Sequence, residues 1–280
     1  MSLNGKVAVI TGASMGIGEA IAKLFADQGA SVVLSSRDLG RAEAARARVG
    51  HSERTLAVAC DVSRADEVQK LAQAALARFG RIDIWVNNAG HGLIDSVATM
   101  DLGECRRLFD TNLFGAIHGM QVAAPILKRQ GSGTIINISS VAGHIAVPGM
   151  AAYSATKFAM NAIGKGARVE LKGTGVHVMT VCPGYITTDF GANAVKGSEA
   201  KRLGAARRGI PAERVARAVL RGYLGQKREV VVPWRDRIAI KLYQLFPRLI
   251  ERAMARMLRP AEQVLAEREA LRQRDRQAAS

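Results

Sequence analysis

Short runs of branched apolar residues alternate along this chain with longer segments whose apolar positions return every three or four residues. VAVI, residues 7–10, is a run of the first kind and fits a buried strand. A glycine-bearing turn follows, then Ile21, Leu24 and Phe25 at helical spacing. The alternation repeats: SVVLSS reads as a strand and DLGRAEAARARVG as a helix, TLAVACDV as a strand and DEVQKLAQAALARFG as a helix, and IDIWVNNAG as a strand and turn. Residues 101–129 read as one long helical region, GTIINISS as a strand, Ala151 to Leu171 as a helix and GVHVMTVCPG as a strand. PAERVARAVLRGYLG starts a helix at Pro211, and EVVVP is the last strand. Strands separated by helices of this length predict an α/β chain, a doubly wound parallel sheet covered on both faces.

The final section breaks this rhythm. Leu242, Leu245, Phe246, Leu249, Ile250, Ala253, Met254, Met257 and Leu258 repeat at helical spacing, with Arg248, Arg252, Arg256 and Arg259 on other faces and Pro247 dividing the segment into two helices. The expectation is a catalytic domain over 1–233, a basic amphipathic helical extension over 234–264 and a frayed charged tail over 265–280. The apolar stripe is expected to dock on the body or on another subunit, with weak peripheral membrane contact as the alternative.

Forty Lys and Arg against 24 Asp and Glu give a formal charge of +16. That charge attracts phosphate, nucleic acid or an anionic membrane without choosing among them. No zinc-finger spacing, RNA-binding aromatic signature or continuous basic recognition motif is present, so no nucleic-acid partner is expected. Ten of the basic residues, against three acidic ones, fall between Gly191 and Val230. They overlap a polar, glycine-bearing segment, Tyr185 to Ile210, which reads as a mobile lid or as a solvated helix face. Three cysteines, Cys60, Cys105 and Cys182, make neither a disulfide framework nor a metal cluster. With no secretory pattern and no apolar run of about 18 residues, the body is expected to be soluble and cytoplasmic, partly membrane-associated if the extension makes the contact.

TGASMGIG, Thr11 to Gly18, lies between the first strand and the first helix. Small residues permit a sharp turn and close backbone approach, and a helix start offers amides to an anion, so the stretch reads as a dinucleotide phosphate loop. The same letters contain GASMG, a GxSxG pattern at Ser14, but no ordered acid and histidine pair accompanies it. Ser36 and Arg37 end the second strand, where an arginine can neutralise a 2′-phosphate; Asp38 lies beside them. NADP(H) is therefore the preferred cofactor, with NAD(H) as the alternative.

From residue 5 to about 233 the chain resembles the short-chain dehydrogenase/reductase family. Thr11, Gly12, Ser14, Met15, Gly16, Ile17 and Gly18 match its cofactor loop; Asp61 and Val62 match the pair beside the adenine; Asn87, Asn88, Ala89 and Gly90 match NNAG. Pro183, Gly184, Ile186 and Thr188 belong to the PGxxxT segment that the resemblance places near the nicotinamide and pyrophosphate. The resemblance implies a Rossmann fold, a homodimer or homotetramer, and a catalytic tetrad of Asn112, Ser140, Tyr153 and Lys157, with Ser139 as the structural runner-up to Ser140. It also implies that Asn112 holds a water linking Lys157 to solvent.

On a helix, Tyr153 and Lys157 share one face. Hydride addition to a carbonyl builds negative charge on oxygen, which a phenol can neutralise by donating its proton, with a nearby ammonium favouring the phenolate. The expected reaction interconverts a secondary alcohol and a ketone or related carbonyl. Ser140, Val141, His144, Met150, Tyr153 and Tyr185 are expected to line the substrate pocket, while His91 reads either as bordering it or as a surface or structural histidine. No metal is expected, and His51, His118 and His177 form no ligand group with the cysteines. The competing reading is a catalytically quiet dinucleotide-binding regulatory or structural protein.

Overall fold

In a computed structural model, described here for residues 3–187, 194–197 and 209–255, seven strands form one parallel sheet. They are β1 (Val7–Ile10), β2 (Ser31–Ser36), β3 (Thr55–Ala59), β4 (Ile84–Asn87), β6 (Gly133–Ile138), β7 (Val176–Pro183) and β9 (Glu229–Val232). Their spatial order is β3-β2-β1-β4-β6-β7-β9. The chain reverses its direction across the sheet between β1 and β4, which are neighbours in register, Ala8 opposite Ile84 and Ile10 opposite Val86. A sheet of this kind opens a crevice beyond the strands' carboxyl ends at such a reversal. Two further short strands, β5 (Leu93–Ile94) and β8 (Val195–Lys196), pair with each other outside the main sheet.

Continuous apolar runs make these strands because both faces are covered. Ala8 and Ile10 of β1, Val32 and Leu34 of β2, and Ile84 and Val86 of β4 pack into one core with α1 (Gly16–Asp27), α2 (Leu39–Val49) and α7 (Ala212–Leu224). The alternate residues Val9, Val33 and Trp85 turn to the opposite core, closed by α3 (Ala65–Phe79) and α5 (Gly115–Gln130). The two-residue period of a strand thus distributes one run between two layers.

Residues 101–129 contain the long helical region that their periodicity predicts, with one local widening inside it. α4 (Leu102–Phe109) and α5 are joined by a π-helical turn, Asp110–Phe114, which carries Asn112. Asn112 is fully buried; its side chain accepts from the His91 backbone N–H and donates to the His91 carbonyl, both at 2.9 Å. Turning this amide onto the loop after β4 accounts for the extra residue in the turn, a common device at functional sites. α6 spans Ala151–Glu170.

After β9 the chain forms α8 (Asp236–Leu245), breaks at Phe246, and resumes as a helix over 247–255, so Pro247 starts the second piece. Ile240 packs with Cys182 and Val231, and Tyr243 Oη donates to Glu251 across the break. The stripe expected to dock is largely open: Leu245 is 69% exposed and Leu249 63%. Met257, Leu258, Arg256 and Arg259 lie outside the described residues.

One contact in the second core sets a sharp steric limit. Trp85 donates its indole N–H to Asn87 Oδ1 at 2.7 Å, and Asn87 donates to Asn137 Oδ1 at 2.8 Å, all three side chains being buried. Gly119 of α5 lies directly over this pair: a Cβ there would overlap Asn87 Oδ1 and come within 2.5 Å of Trp85 Nε1. Ala ordinarily stabilises a helix interior by about 1 kcal/mol relative to Gly. Here the overpacking cost of about 1–3 kcal/mol outweighs it. Gly119→Ala is expected to lower the urea midpoint at unchanged slope; an equal or higher midpoint would contradict this packing.

Candidate active site

The loop after β1 closes on itself through glycine. Gly12 has φ +62°, and a Cβ there would stand 2.7 Å from the Ala89 Cα; a Cβ on buried Gly18 would stand 2.5 Å from both Asn88 Nδ2 and Gly12 O. These are the close approaches that a phosphate loop needs. α1 begins at Gly16 with no side-chain cap from Met15, so the first-turn amides face the crevice beside β1. Arg48 of α2 donates to both carboxylate oxygens of Glu19, at 2.6 and 3.0 Å, and to the Ser14 carbonyl at 3.0 Å, pinning the outer side of the loop. Ile17 packs partly buried on the first core.

The loop after β4 is fastened to this one by two side chains. Thr11 Oγ1 donates to the Val86 carbonyl at 3.2 Å and accepts from the backbone N–H groups of Asn88 and Ala89 at 3.0 and 3.1 Å. Asn88 Nδ2 donates back to the carbonyls of Thr11 and Gly12, each at 2.9 Å. Gly90 lies between Asn112 and Lys157: a Cβ there would be 2.9 Å from Asn112 Oδ1 and 3.8 Å from Lys157 Nζ. The phosphate loop, the NNAG turn and the helix carrying Lys157 therefore form one connected wall. At its outer end, Asp61 holds its own turn by accepting from the Ser63 N–H and hydroxyl, and Val62 is buried beneath it.

Ser140, Tyr153 and Lys157 come together at the same edge. Ser140 follows β6, caps the short turn Val141–Gly143 by accepting from the Ala142 N–H at 3.0 Å, and donates to the Pro183 carbonyl at 3.3 Å. Ser139 instead donates to the Lys157 carbonyl and is buried, which separates the two serines in role. Tyr153 and Lys157 sit one turn apart on α6, with Lys157 Nζ 5.7 Å from the Tyr153 ring centre. Burial pushes the Tyr153 phenol up to about 12, against a smaller downward pull from its hydrogen bond with Ser140. Burial also brings the Lys157 ammonium down to about 8, while it donates to the Ile138 carbonyl at 3.0 Å. Both groups thus resist charge for the same reason, loss of water.

The apolar wall beside Tyr153 consists of Leu93, Leu108, Ala142 and Ala152, with Met150 and Val195 packed on it. Met150 thus lies beside Tyr153. Val141 and His144 face elsewhere. In a tight three-residue turn, positions three apart eclipse, so these two share one face. Val141 packs towards Cys182, Val231 and Ile240, and the His144 Nε2 meets Cys182 Sγ at 3.4 Å and a Glu229 carboxylate oxygen at 3.5 Å. Those three ligand atoms lie within 4.8 Å of one another, a grouping that sequence spacing does not show. Both partners meet the same ring nitrogen, and burial pushes the Cys182 thiol up to about 12, so the cluster acts as a hydrogen-bonded brace behind the Ser140 turn. His91 contributes its backbone to Asn112.

Pro183 ends β7 and is buried. A Cβ on Gly184 would overlap the carboxylate of Asp236, so the extension begins directly beside this segment. Ile186 bridges to Ile210, and the Thr187 N–H and Tyr185 carbonyl bond to Ile210 at 3.0 Å, joining the two ends of the expected lid. Tyr185 is half exposed. Thr188 and most of the lid lie outside the described residues. Ser36 is half-buried at the end of β2, and Arg37 is exposed.

Several supporting groups escaped the sequence reading. Thr156 is fully buried, donates to the Tyr153 carbonyl at 2.7 Å and receives Asn112 Nδ2 at 3.4 Å. Asn161 donates to the Gly143 carbonyl at 2.9 Å. Their signal was positional: both lie on α6 at three- or four-residue steps from Tyr153 and Lys157, on the face the site already used.

The short chain dehydrogenase sequence family matches residues 6–199. An uncharacterized oxidoreductase of Staphylococcus saprophyticus is 38% identical over 191 residues, 68% of this chain and 77% of that protein. Among solved structures, a short chain dehydrogenase/reductase from Burkholderia phymatum in complex with NAD aligns at a TM-score of 0.80 and 27% identity, covering 89% of this chain and 96% of that one. A metagenomic short-chain oxidoreductase in complex with NADP aligns at 0.69 and 33% identity, covering 83% and 98%. With the loops and side chains arranged as described, the chain belongs to the short-chain dehydrogenase/reductase family and is an oxidoreductase that uses a nicotinamide dinucleotide.

Proposed function

We propose that the protein interconverts a ketone or related carbonyl and a secondary alcohol with NADP(H), using Tyr153 as acid and base. The observation that carries this reading is a buried phenol joined to Ser140 and flanked by a buried lysine, at the edge where the phosphate loop opens. The glycine-shaped cradle around Gly12 and Gly18 fits a dinucleotide, whose nicotinamide would supply or accept the hydride.

The chain's own part is to orient and to move a proton. The Ser140 hydroxyl holds the substrate oxygen. Tyr153 is a neutral phenol at physiological pH, so in reduction it donates its proton to that oxygen as the carbonyl π bond opens. Lys157, one helical turn away, stabilises the tyrosinate so formed and returns a proton to it. The Asn112 amide holds the turn at His91 and Thr156, which fixes the wall on the far side of Lys157. In oxidation the same steps run backwards.

Arg37 supports NADP(H). Asp38, the neighbouring acid, is the N-cap of α2 and accepts from the Arg41 N–H at 2.8 Å, so its carboxylate is engaged locally. A carboxylate so placed is a poor ribose reader, and the exposed Arg37 guanidinium remains to meet a 2′-phosphate. The relatives' cofactors include both NAD and NADP, so the choice rests on these two residues. We further propose a homodimer or homotetramer, built on the outer face of α6, where Phe158 and Val169 are exposed, and a cytoplasmic setting for its three free cysteines. Sedimentation velocity checks the assembly; a monomer at every concentration contradicts it.

Tyr153→Phe is expected to lower kcat on a responsive ketone by at least about 100-fold while NADPH affinity stays within about twofold, since only the proton donor is removed. Full turnover in that variant contradicts the assignment. Lys157 gives a pH test with a definite sign. Its folded pKa lies below its ordinary 10.5, so the buried ammonium lowers stability; the effect is complete below about pH 8 and disappears as pH rises towards 10.5. Lys157→Met is therefore expected to lose activity yet gain stability at neutral pH, on the order of 2 kcal/mol, with the gain shrinking at high pH. Equal destabilisation at both pH values would show that Lys157 is a structural anchor instead.

A further inference from the structure

The extension presents an apolar face to the outside. At 100° per residue, Ile238, Leu242 and Leu245 lie about 140–200° around α8 from Ile240, the residue that holds the helix to the body. All three are exposed, as are Trp234, Phe246 and Leu249, with Trp234 at 64%. Six large apolar side chains left exposed within sixteen residues mark an interaction surface. No helix among the described residues is long and apolar enough to cross a membrane, so the surface is one that lies against its partner.

Charge selects the partner. Arg235, Arg237, Lys241, Arg248 and Arg252 accompany the face over 234–255, against Asp236 and Glu251. Asp236 is half-buried beside Gly184, and Glu251, although exposed, accepts from Tyr243, so five basic residues against two acidic ones leave the segment positive. A second copy of this chain meeting the same face about a two-fold axis would bring like charges together. An anionic lipid surface meets both the apolar stripe and its basic flank.

We propose that the face formed by Trp234, Ile238, Leu242, Leu245, Phe246 and Leu249 docks the enzyme on an anionic lipid membrane. Its position suggests what the docking serves. Ile240 and Val141 share one cluster, and Asp236 lies against Gly184, so the helix that carries the docking face on its outer side packs by its inner side on the segments that carry Ser140 and Pro183. Tyr153 is itself walled by Leu93, Leu108, Ala142 and Ala152. Resting on the reaction proposed above, the substrate class is a lipophilic carbonyl or alcohol delivered from the lipid phase.

The test is sedimentation of the full chain with phosphatidylcholine vesicles that contain or lack phosphatidylglycerol, alongside a Leu245→Glu/Leu249→Glu variant. Both positions are exposed, so the fold should survive, and NADPH binding followed by nicotinamide fluorescence verifies it. The wild-type chain is expected to partition onto anionic vesicles at least about tenfold better than onto neutral ones, to be released by high salt, and to lose at least about tenfold in the variant. Wild-type protein left in the supernatant, or a variant that binds equally well, overturns the proposal. An oligomer that the variant splits into subunits, without vesicle binding by the wild type, also overturns it and makes the face a subunit contact. Because NADPH binding is read separately, failure of the docking proposal is distinguishable from failure of the cofactor reading.

Discussion

The hydroxyl of Thr11 is a single atom group with one proton to give and two lone pairs to fill, and all three capacities are used between β1 and β4. With the Asn88 amide answering in the other direction, two loops that are 77 residues apart in sequence become one surface. The rest of the site is referenced to that surface. Gly12 and Gly18 can shape a cradle only because Ala89 and Asn88 stand within van der Waals reach, and Gly90 passes the constraint to Asn112 and Lys157. Parallel pairing of β1 with β4 at the sheet's reversal is what brings the two loops together.

A second constraint, water exclusion, sets the chemistry. Tyr153 is buried among apolar residues of α4, α6 and the β5–β8 pair, Lys157 is buried one helical turn on, and each is pushed towards its neutral form. In the proposed reaction the phenol is thereby kept as a proton donor, while the lysine is brought into the range where it exchanges protons near neutral pH. Two groups that would be unremarkable on an exposed helix face acquire complementary functions from one desolvated setting.

How much of this was legible in the chain follows from the range of the interactions. The strands were readable because they lie between two cores and so carry apolar runs, as VAVI does and as Val32–Leu34 does within SVVLSS. The tight glycine turn after β1 and the shared helix of Tyr153 and Lys157 were readable because each is local: a turn, or one helical step. The π turn at Asn112 was not, since its cause is the backbone of His91 on another loop. Nor was the orientation of Val141 and His144, which depends on how a three-residue turn packs against β7, β9 and Ile240. The extension's helical periodicity was plain, whereas its exposure depends on how little of the body lies beneath it.

The surface held by Thr11 and Asn88 is proposed to receive the nicotinamide dinucleotide, with Arg37 choosing the phosphorylated form. Parallel titrations of the purified protein with NADPH and NADH, followed by nicotinamide fluorescence, test it most directly. Saturable binding with NADPH the tighter ligand is expected. Tighter NADH binding would contradict the role given to Arg37 and Asp38, and binding of neither would contradict the cradle itself.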